Sequence, residues 1–177
     1  DGIEWTPGGH LAAGGHYQIS NARDGRVITA WNDHPRGVDQ RTNLHVAMTD
    51  DLGRTWLTLQ GTVLEPPVGI TDPTSMIRNY DDENRLVYLK DINFDAQGRP
   101  VILYITSARS RPGPQDPPRK WTVAHWNGEA WRFHEVADAF HNYDMGSIYC
   151  EPDGTWRIIA PTAQGPRPWG TGGEVMM

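Results

Sequence analysis

The stretch "MTDDLGRTWLTL", residues 48–59, decides the fold. It places the pattern Thr-x-Asp-x-Gly-x-Thr-Trp between two short apolar runs. Asp51 can accept hydrogen bonds from backbone N–H groups in a tight turn, Gly53 can adopt a positive φ, and Trp56 can cover the base of a hairpin. We therefore interpret the motif as a structural β-hairpin turn without a catalytic role, built from Thr49, Asp51, Gly53, Thr55 and Trp56.

Three further hairpins along the chain resemble one another. They are "HYQISNARDGRVITAW" (16–31), "KDINFDAQGRPVILYI" (90–105) and "GSIYCEPDGTWRIIAP" (146–161). Each has an apolar strand, a turn closed by glycine and a more strongly apolar strand. A second pair of strands follows each of the first two hairpins. The repeating unit is therefore four antiparallel strands, present about two and a half times.

Repeated four-stranded units of this kind are typical of β-propeller blades. We predict an all-β fold with one partial propeller domain over residues 1–177. Its blades are expected at residues 16–59 and 87–136, with an incomplete blade at 146–177. A β-sandwich is the alternative, but it does not explain the repeated blade-like hairpins. Helix content should be negligible, because no long stretch holds a period of 3.6 residues.

Composition excludes several classes of function. The chain of 177 residues has a formal net charge of −6 and no basic cluster, which argues against nucleic acid binding. Cys150 is the only cysteine, so neither a disulfide framework nor a cysteine-based zinc site is expected. No apolar run approaches the length of a membrane span. No cofactor is indicated, and a structural metal ion such as calcium stays open.

The turn at residues 49–56 matches the Asp-box, or BNR, repeat at all of its motif positions. Four stretches extend the likeness: "WNDHPRGVDQRTNLHVAMTDDLGRTW", "YLKDINFDAQGRPVILYITS", "HNYDMGSIY" and "GTGGEV". Together they resemble a BNR repeat-containing family of sialidase-like β-propellers, in the branch related to ulvan-lyase-type polysaccharide lyases. This resemblance implies a seven-bladed propeller, of which the present residues would be a fragment. The group includes lyases, glycosidases and unassigned proteins, so the activity has to be argued from the site.

The Asp box shows where such a site would lie. In an up-and-down blade, the turns between the first and second strands and between the third and fourth strands share one face. The Asp box belongs to that face, so the long connections lie on the opposite face, at residues 32–42, 60–86, 107–119, 137–145 and 161–171. Long loops on one face of a rigid scaffold commonly carry binding sites.

Arginine, histidine, tyrosine and tryptophan are concentrated in these loops. Arginine holds a carboxylate or sulfate through paired hydrogen bonds, and tryptophan stacks on the apolar face of a sugar ring. The candidate catalytic residues are His141, Tyr143 and His34. The candidate substrate-binding residues are Arg41, Arg109, Arg119, Asn142, Arg167 and Trp169. Lys90 and Asp91, near the start of an inner strand, are a candidate ion pair lining the channel.

Two enzyme mechanisms fit this set of residues. In a uronate lyase, a base removes the proton α to the sugar carboxylate, an acid protonates the leaving oxygen, and arginine neutralises the carboxylate. In a glycoside hydrolase, two carboxylates usually flank the bond, although sialidases use a tyrosine nucleophile. The available carboxylates are Asp33, Asp91, Asp144 and Glu174, and no pair of them stands out.

We therefore predict lyase-type β-elimination on an anionic, uronic-acid-containing polysaccharide, with His and Tyr as acid and base. A sialidase-like glycoside hydrolase and a non-catalytic glycan-binding propeller stay open. The expected partner is an anionic polysaccharide or oligosaccharide, and the expected location is secreted or periplasmic. The full-length protein is expected to be a monomer, at least about twice as long as this chain, because closed propellers typically need about four to eight blades. A second Asp box is expected soon after Met177, and the segment alone is expected to be poorly stable and inactive.

Overall fold

The computed structural model describes residue 4, residues 8–69 and residues 72–177. Its strands form three antiparallel sheets. The first sheet contains β1 (Gly15–Arg23), β2 (Arg26–Asp33), β3 (Thr42–Thr49), β4 (Trp56–Leu57), β5 (Val63–Leu64) and β6 (Met76–Arg78). The second contains β7 (Leu86–Phe94), β8 (Pro100–Ser107), β9 (Arg119–Trp126) and β10 (Trp131–Asp138). The third contains β11 (Ser147–Cys150), β12 (Trp156–Pro161) and β13 (Val175–Met176). Two three-residue 3-10 helices lie at Pro73–Ser75 and Pro168–Gly170.

Each sheet follows the chain from strand to neighbouring strand, as a propeller blade does. The orders are β1-β2-β3-β4-β5, β7-β8-β9-β10 and β11-β12-β13. The first sheet differs from the expected four strands because β4 has only two residues. Two strands from the connection after residue 59 complete it: β5 pairs with β4, and β6 pairs with β3 at Leu44 and His45.

The three sheets lie side by side through their first strands. The Asn21 carboxamide in β1 donates to the Ile92 carbonyl in β7 at 2.7 Å. The Asn93 carboxamide in β7 donates in the same way to the Ile148 carbonyl at the start of β11, at 2.9 Å. The strands β1, β7 and β11 are therefore the inner strands of three neighbouring blades, which we number 1 to 3.

The second blade is buried on both faces. All eight residues of β8 are buried, because alternate side chains point toward blade 1 and blade 3. Ile102 and Tyr104 join a core cluster with Ile28 of blade 1. Leu103 joins a second core cluster, with Ile148 of blade 3. The all-β architecture of propeller blades predicted from the sequence is thus confirmed.

The Asp box closes the hairpin between β3 and β4 through its own side chains. The Asp51 carboxylate accepts the backbone N–H of Arg54 at 3.0 Å and that of Thr55 at 2.9 Å, and the hydroxyl of Thr49 at 2.8 Å. These bonds lower the pKa of Asp51 to about 2, and the bond from the Thr55 N–H makes the largest contribution. Gly53 has φ +81°, a conformation that side chains with a Cβ rarely adopt.

Strand direction places this turn and the candidate site at opposite ends of the blades. The Asp box follows the end of β3, whereas β1, β3, β7, β9 and β11 all begin at the other end. We call that end the top face. The loops predicted to carry the site approach the blades there.

Candidate active site

A buried arginine surrounded by three tyrosines lies at the top face. The guanidinium carbon of Arg41 is 4.6 Å from the ring centre of Tyr17, 4.9 Å from that of Tyr88 and 5.3 Å from that of Tyr143. Tyr17 lies in β1, Tyr88 in β7, and Tyr143 in the connection before β11. Each blade thus contributes one ring to this tyrosine–arginine cluster, defined by Tyr17, Arg41, Tyr88 and Tyr143.

Local bonds hold Arg41 in place without using all of its donors. Its Nε and Nη2 groups donate to the Val38 carbonyl at 3.2 and 2.9 Å. A guanidinium has five N–H hydrogens, so three are left. No acceptor among the described residues takes them. Arg41 is 4% exposed, and its neighbours Tyr17 and Tyr143, at 44% and 42%, form the rim around it.

Two histidines flank the cluster, each next to one of its tyrosines. The His34 ring centre lies 5.8 Å from that of Tyr17, and the His141 ring centre lies 5.8 Å from that of Tyr143. The Nδ1 atom of His141 accepts the backbone N–H of Tyr143 at 3.1 Å, so the neutral ring carries its proton on Nε2. Burial lowers the pKa of His141, although Asp144 opposes this shift. His141 is therefore suited to donate a hydrogen bond from Nε2 as a neutral ring.

Lys90 reaches the site from a β-bulge. The register between β7 and β8 shifts between Leu89 and Asp91, so Lys90 is the extra residue. Its Nζ donates to the Asn142 carbonyl at 2.9 Å, and burial lowers the pKa of Lys90 to about 8. The expected ion pair with Asp91 is not present among the described residues. The Asp91 carboxylate instead accepts the backbone N–H of Ile148 at 2.8 Å.

Asn142 fastens the loop that carries His141 and Tyr143. Its carbonyl accepts from Lys90, and its carboxamide nitrogen donates to the Ser110 carbonyl at 3.0 Å. None of its surface is exposed. This burial does not fit the expectation that Asn142 contacts substrate directly, and it indicates that the residue positions its two neighbours.

Several buried polar atoms in this region lack hydrogen-bond partners among the described residues. They are the Tyr88 hydroxyl, Nε of Arg119 and Oδ1 of Asn142. Burial raises the pKa of Tyr88, and the nearby Asn142 side chain partly opposes the rise, although the two groups do not reach hydrogen-bond geometry. Unsatisfied buried groups are uncommon in native proteins, and bound water or ligand usually accounts for them.

The cluster is also rich in positive charge. Arg41, Lys90 and Arg119 form no ion pair with a carboxylate in the described part of the chain. Asp144 interacts electrostatically with Lys90 and His141, and its own pKa is raised by burial. Asp116 interacts with Arg119 in the same way. Among the described residues, three buried or half-buried cations thus lie near two carboxylates and pair with neither, in a protein of net charge −6.

The structure separates the predicted site residues into two groups. His34, Arg41, Arg119 and the segment 141–143 come together around the cluster. Arg109 instead lines a neighbouring cleft. Arg167 and Trp169 are exposed on loop 161–171, and no described contact brings them to Arg41. That loop packs against loop 107–119, since a Cβ on Gly113 would lie 2.2 Å from the Trp169 carbonyl.

Sequence reasoning missed Tyr17 and Tyr88. Both lie within strands, where an aromatic residue is ordinarily part of a core. A signal was nevertheless present, because Tyr17 is the third residue of β1 and Tyr88 is the third residue of β7. The same position in two inner strands therefore carries a tyrosine directed to one site.

A buried Ser-His-Asp network lies deeper in blade 1. His45 shares hydrogen bonds with Asp33 at 3.0 Å and with Ser75 at 2.9 Å. None of the three is more than 2% exposed, so a substrate cannot reach them. The network ties the 3-10 helix Pro73–Ser75, which directly precedes β6, to β2 and β3. It also removes Asp33 from the carboxylates available to a glycoside hydrolase.

No group of three or more His, Cys, Asp or Glu side chains in the described residues is arranged to hold a metal ion. No described helix is long and apolar enough to cross a bilayer.

The family of the chain follows from a match over most of its length. The model of the BNR repeat-containing family matches residues 16–139, which include the Asp box and the first two blades. The chain belongs to the BNR repeat-containing family. No curated protein matches its sequence.

Several solved structures share the fold of this BNR repeat protein. A PL25 ulvan lyase, described as a new family of polysaccharide lyase, superposes with a TM-score of 0.63 at 16% identity, over 82% of this chain and 38% of the lyase. A PL25 ulvan lyase bound to -[GlcA(1-4)Rha3S]- gives the same values. The polysaccharide lyase Uly1 gives a TM-score of 0.53 at 12% identity, over 90% of this chain and 36% of Uly1. The chain thus spans less than two fifths of the length of these lyases.

Proposed function

We propose that the protein acts on an anionic, uronic-acid-containing polysaccharide by lyase-type β-elimination. The observation that carries this proposal is the tyrosine–arginine cluster, in which a buried guanidinium keeps unused donors and has no carboxylate partner among the described residues. A site with this surplus of positive charge suits a negatively charged ligand. The likeness of the fold to polysaccharide lyases supports a carbohydrate as that ligand.

Arg41 would bind the sugar carboxylate. Two parallel N–H donors match the two oxygens of a carboxylate, and low local dielectric strengthens that pair. The exposed rings of Tyr17 and Tyr143 offer apolar faces to the C–H groups of the same sugar. Recognition would therefore combine one charged contact with stacking at the rim.

Neutralising the carboxylate makes the proton on the adjacent carbon more acidic. A base removes this α proton, and the resulting negative charge spreads onto carboxylate oxygens held by Arg41. The C–O bond at the β carbon then breaks, a C=C bond forms between the α and β carbons, and an acid protonates the departing sugar oxygen. One polysaccharide chain thus yields two pieces, one with an unsaturated end.

The residues divide these roles according to their geometry. His141 is a neutral ring with its proton on Nε2, so we assign it a hydrogen bond to the carboxylate oxygens that gain negative charge. Proton abstraction and protonation of the leaving oxygen fall to Tyr143, which lies against Arg41, and His34, which lies against Tyr17. Asn142 and Lys90 hold the loop that positions His141 and Tyr143.

A panel of polyuronates incubated with the full-length protein tests the proposal. Absorbance from an unsaturated product is the expected result. New reducing ends without that absorbance would identify a hydrolase instead. Binding without turnover would identify a glycan-binding propeller.

A secreted or periplasmic location and a monomeric state are also part of the proposal. A polymeric substrate is met outside the cytoplasm, which is the reason for that location. Cell fractionation and size-exclusion chromatography of the full-length protein test these two points. Recovery in the cytoplasm, or elution as a dimer, would contradict them.

A further inference from the structure

A second cleft rich in arginine lies on the top face beside the tyrosine–arginine cluster. Its volume is about 230 Å³. We call it the arginine cleft, and its polar lining includes Arg36, Gln40, Asp81, Arg85, Arg109 and Ser110.

The arginine cleft and the cluster share parts of their walls. Gln40 precedes Arg41 in the chain, and Leu86 of the cleft lies two residues before Tyr88. The carbonyl of Ser110 holds the Asn142 side chain. A ligand longer than one sugar that occupies the cluster would therefore pass close to the cleft.

The charge of the arginine cleft is not balanced by its own residues. Asp81 is the single carboxylate of its lining, and it pairs with Arg36, with Nη1 to Oδ2 at 3.2 Å. In the described part of the chain, the side chain of Arg85 reaches only the Pro118 carbonyl, at 3.5 Å. Arg85 and Arg109 form no ion pair among the described residues. Two positive charges thus stay uncompensated in an acidic protein.

The backbone around these arginines is held in place. The N–H of Arg85 donates to the Tyr80 carbonyl at 2.9 Å, and its carbonyl accepts the Thr42 hydroxyl at 2.9 Å. The carbonyl of Arg109 accepts the Ser107 hydroxyl at 2.7 Å. Fixed attachment points reduce the entropy lost when a guanidinium binds a ligand.

We propose that the arginine cleft is a second anion-binding subsite, which takes a carboxylate or a sulfate ester on a sugar next to the one held by the tyrosine–arginine cluster. The inference rests on the proposed function. A guanidinium fork matches both anions through paired hydrogen bonds. Two linked subsites bind a polymer far more tightly than either binds a single sugar. The cleft would thus select anionic polymers over monosaccharides.

Equilibrium binding to three probes tests this subsite in the full-length protein at low ionic strength. The probes are glucuronate, a tetragalacturonate and a chondroitin 4-sulfate tetrasaccharide. Arg85→Gln and Arg109→Gln should each weaken binding of an oligosaccharide about tenfold, a typical loss for one charged hydrogen-bonding partner. Glucuronate affinity and the unfolding temperature should not change. Arg132→Gln is the matched control, because Arg132 is exposed on β10 and lines neither site.

The probes also identify the bound anion. Weaker binding of tetragalacturonate supports the subsite with a carboxylate as its ligand, and weaker binding of the sulfated tetrasaccharide alone supports it with a sulfate ester. Oligosaccharide affinities equal to those of Arg132→Gln in both variants would overturn the inference. Failure of glucuronate to bind the unaltered protein would count against the proposed function. A loss of sulfated-tetrasaccharide binding in the two variants would still support the arginine cleft as an anion-binding subsite.

Discussion

Replacing Arg41 by methionine should remove carboxylate recognition and leave the fold intact. Methionine is flexible enough to fill the space between the three tyrosine rings, but it carries no charge and no donor. Arg41 itself forms no ion pair among the described residues, so the substitution leaves no carboxylate buried without a partner. The perturbation therefore acts on the ligand far more than on the protein.

The size of the effect follows from the donors that Arg41 has left. Two of its five N–H hydrogens bind the Val38 carbonyl, and a bidentate carboxylate would use two of the other three. Each hydrogen bond to a charged group contributes about 1.5–3 kcal/mol, so we expect a loss of about 3–4 kcal/mol after partial solvent compensation. This corresponds to roughly 100-fold to 1000-fold weaker binding of glucuronate.

The expected effect on stability is much smaller. The variant loses cation–π contacts worth about 0.5–2 kcal/mol and the hydrogen bonds to the Val38 carbonyl, but it also loses the desolvation cost of a buried cation. We expect a net change in the free energy of unfolding of about 1 kcal/mol, which corresponds to a shift of about 2–4 °C in Tm.

Titration calorimetry with glucuronate and thermal unfolding measure the two effects separately. Arg54→Met is the control, because Arg54 is exposed in the Asp-box turn at the opposite face. A folded Arg41→Met protein that binds glucuronate as tightly as the Arg54→Met control would refute the assignment of Arg41 as the carboxylate-binding residue.

Three other predictions concern pH, catalysis and the Asp box. Glucuronate binding should weaken as pH rises through about 8, because Lys90 loses its charge there. The Lys90→Arg variant should not show this drop in affinity, and an unchanged drop would contradict the role of Lys90. The pKa of Lys90 is lower in the folded state than its unfolded value of about 10.4. The unaltered protein should therefore gain stability relative to Lys90→Met as pH rises from about 8 to 10.4, and urea unfolding measures this gain. His141→Phe and Tyr143→Phe should each lower kcat/KM at least about 100-fold on a polyuronate, and unaltered turnover in both would exclude a catalytic role for them. Asp51→Ala should lower Tm at neutral pH without changing glucuronate binding. Because the folded pKa of Asp51 is lowered to about 2, the difference in Tm between the two proteins should shrink as pH falls from about 4 toward 2. A difference in Tm that stays constant over this range would contradict the prediction.

The parts of the fold that the sequence predicts well are those whose partners are close in the chain. Every hydrogen bond of the Asp box joins residues between 49 and 55, so the motif carries its own explanation. The hairpins are similarly local, with a glycine at each turn. The connection at 60–86 is different, because β6 is drawn onto β3 by pairing and by the buried bond between His45 and Ser75. No sequence feature near residue 76 indicates that this segment pairs with β3, about thirty residues earlier.

The candidate site is harder to predict because its residues meet only after the blades pack together. Arg41 stood out because it is a charged residue in a long loop. Its neighbours Tyr17 and Tyr88 did not, because strand tyrosines usually belong to a core. The depth of Asn142 was also hidden, since both of its partners, Lys90 and Ser110, come from distant segments. The sequence therefore predicts the face of the blades that carries the candidate site and some of its residue types. Contacts across three blades determine which residues belong to the site.

The bonds from Asn21 to Ile92 and from Asn93 to Ile148 make the joints between blades head-to-tail. Blade 2 offers a donor to blade 3 and an acceptor to blade 1, as a subunit does toward its two neighbours in a head-to-tail assembly. A joint of this kind can be repeated along the chain, because each added blade brings its own donor and its own acceptor. Duplication of blade 2 would again bring an inner-strand asparagine donor next to a carbonyl acceptor, so this bond by itself sets no limit on the number of blades.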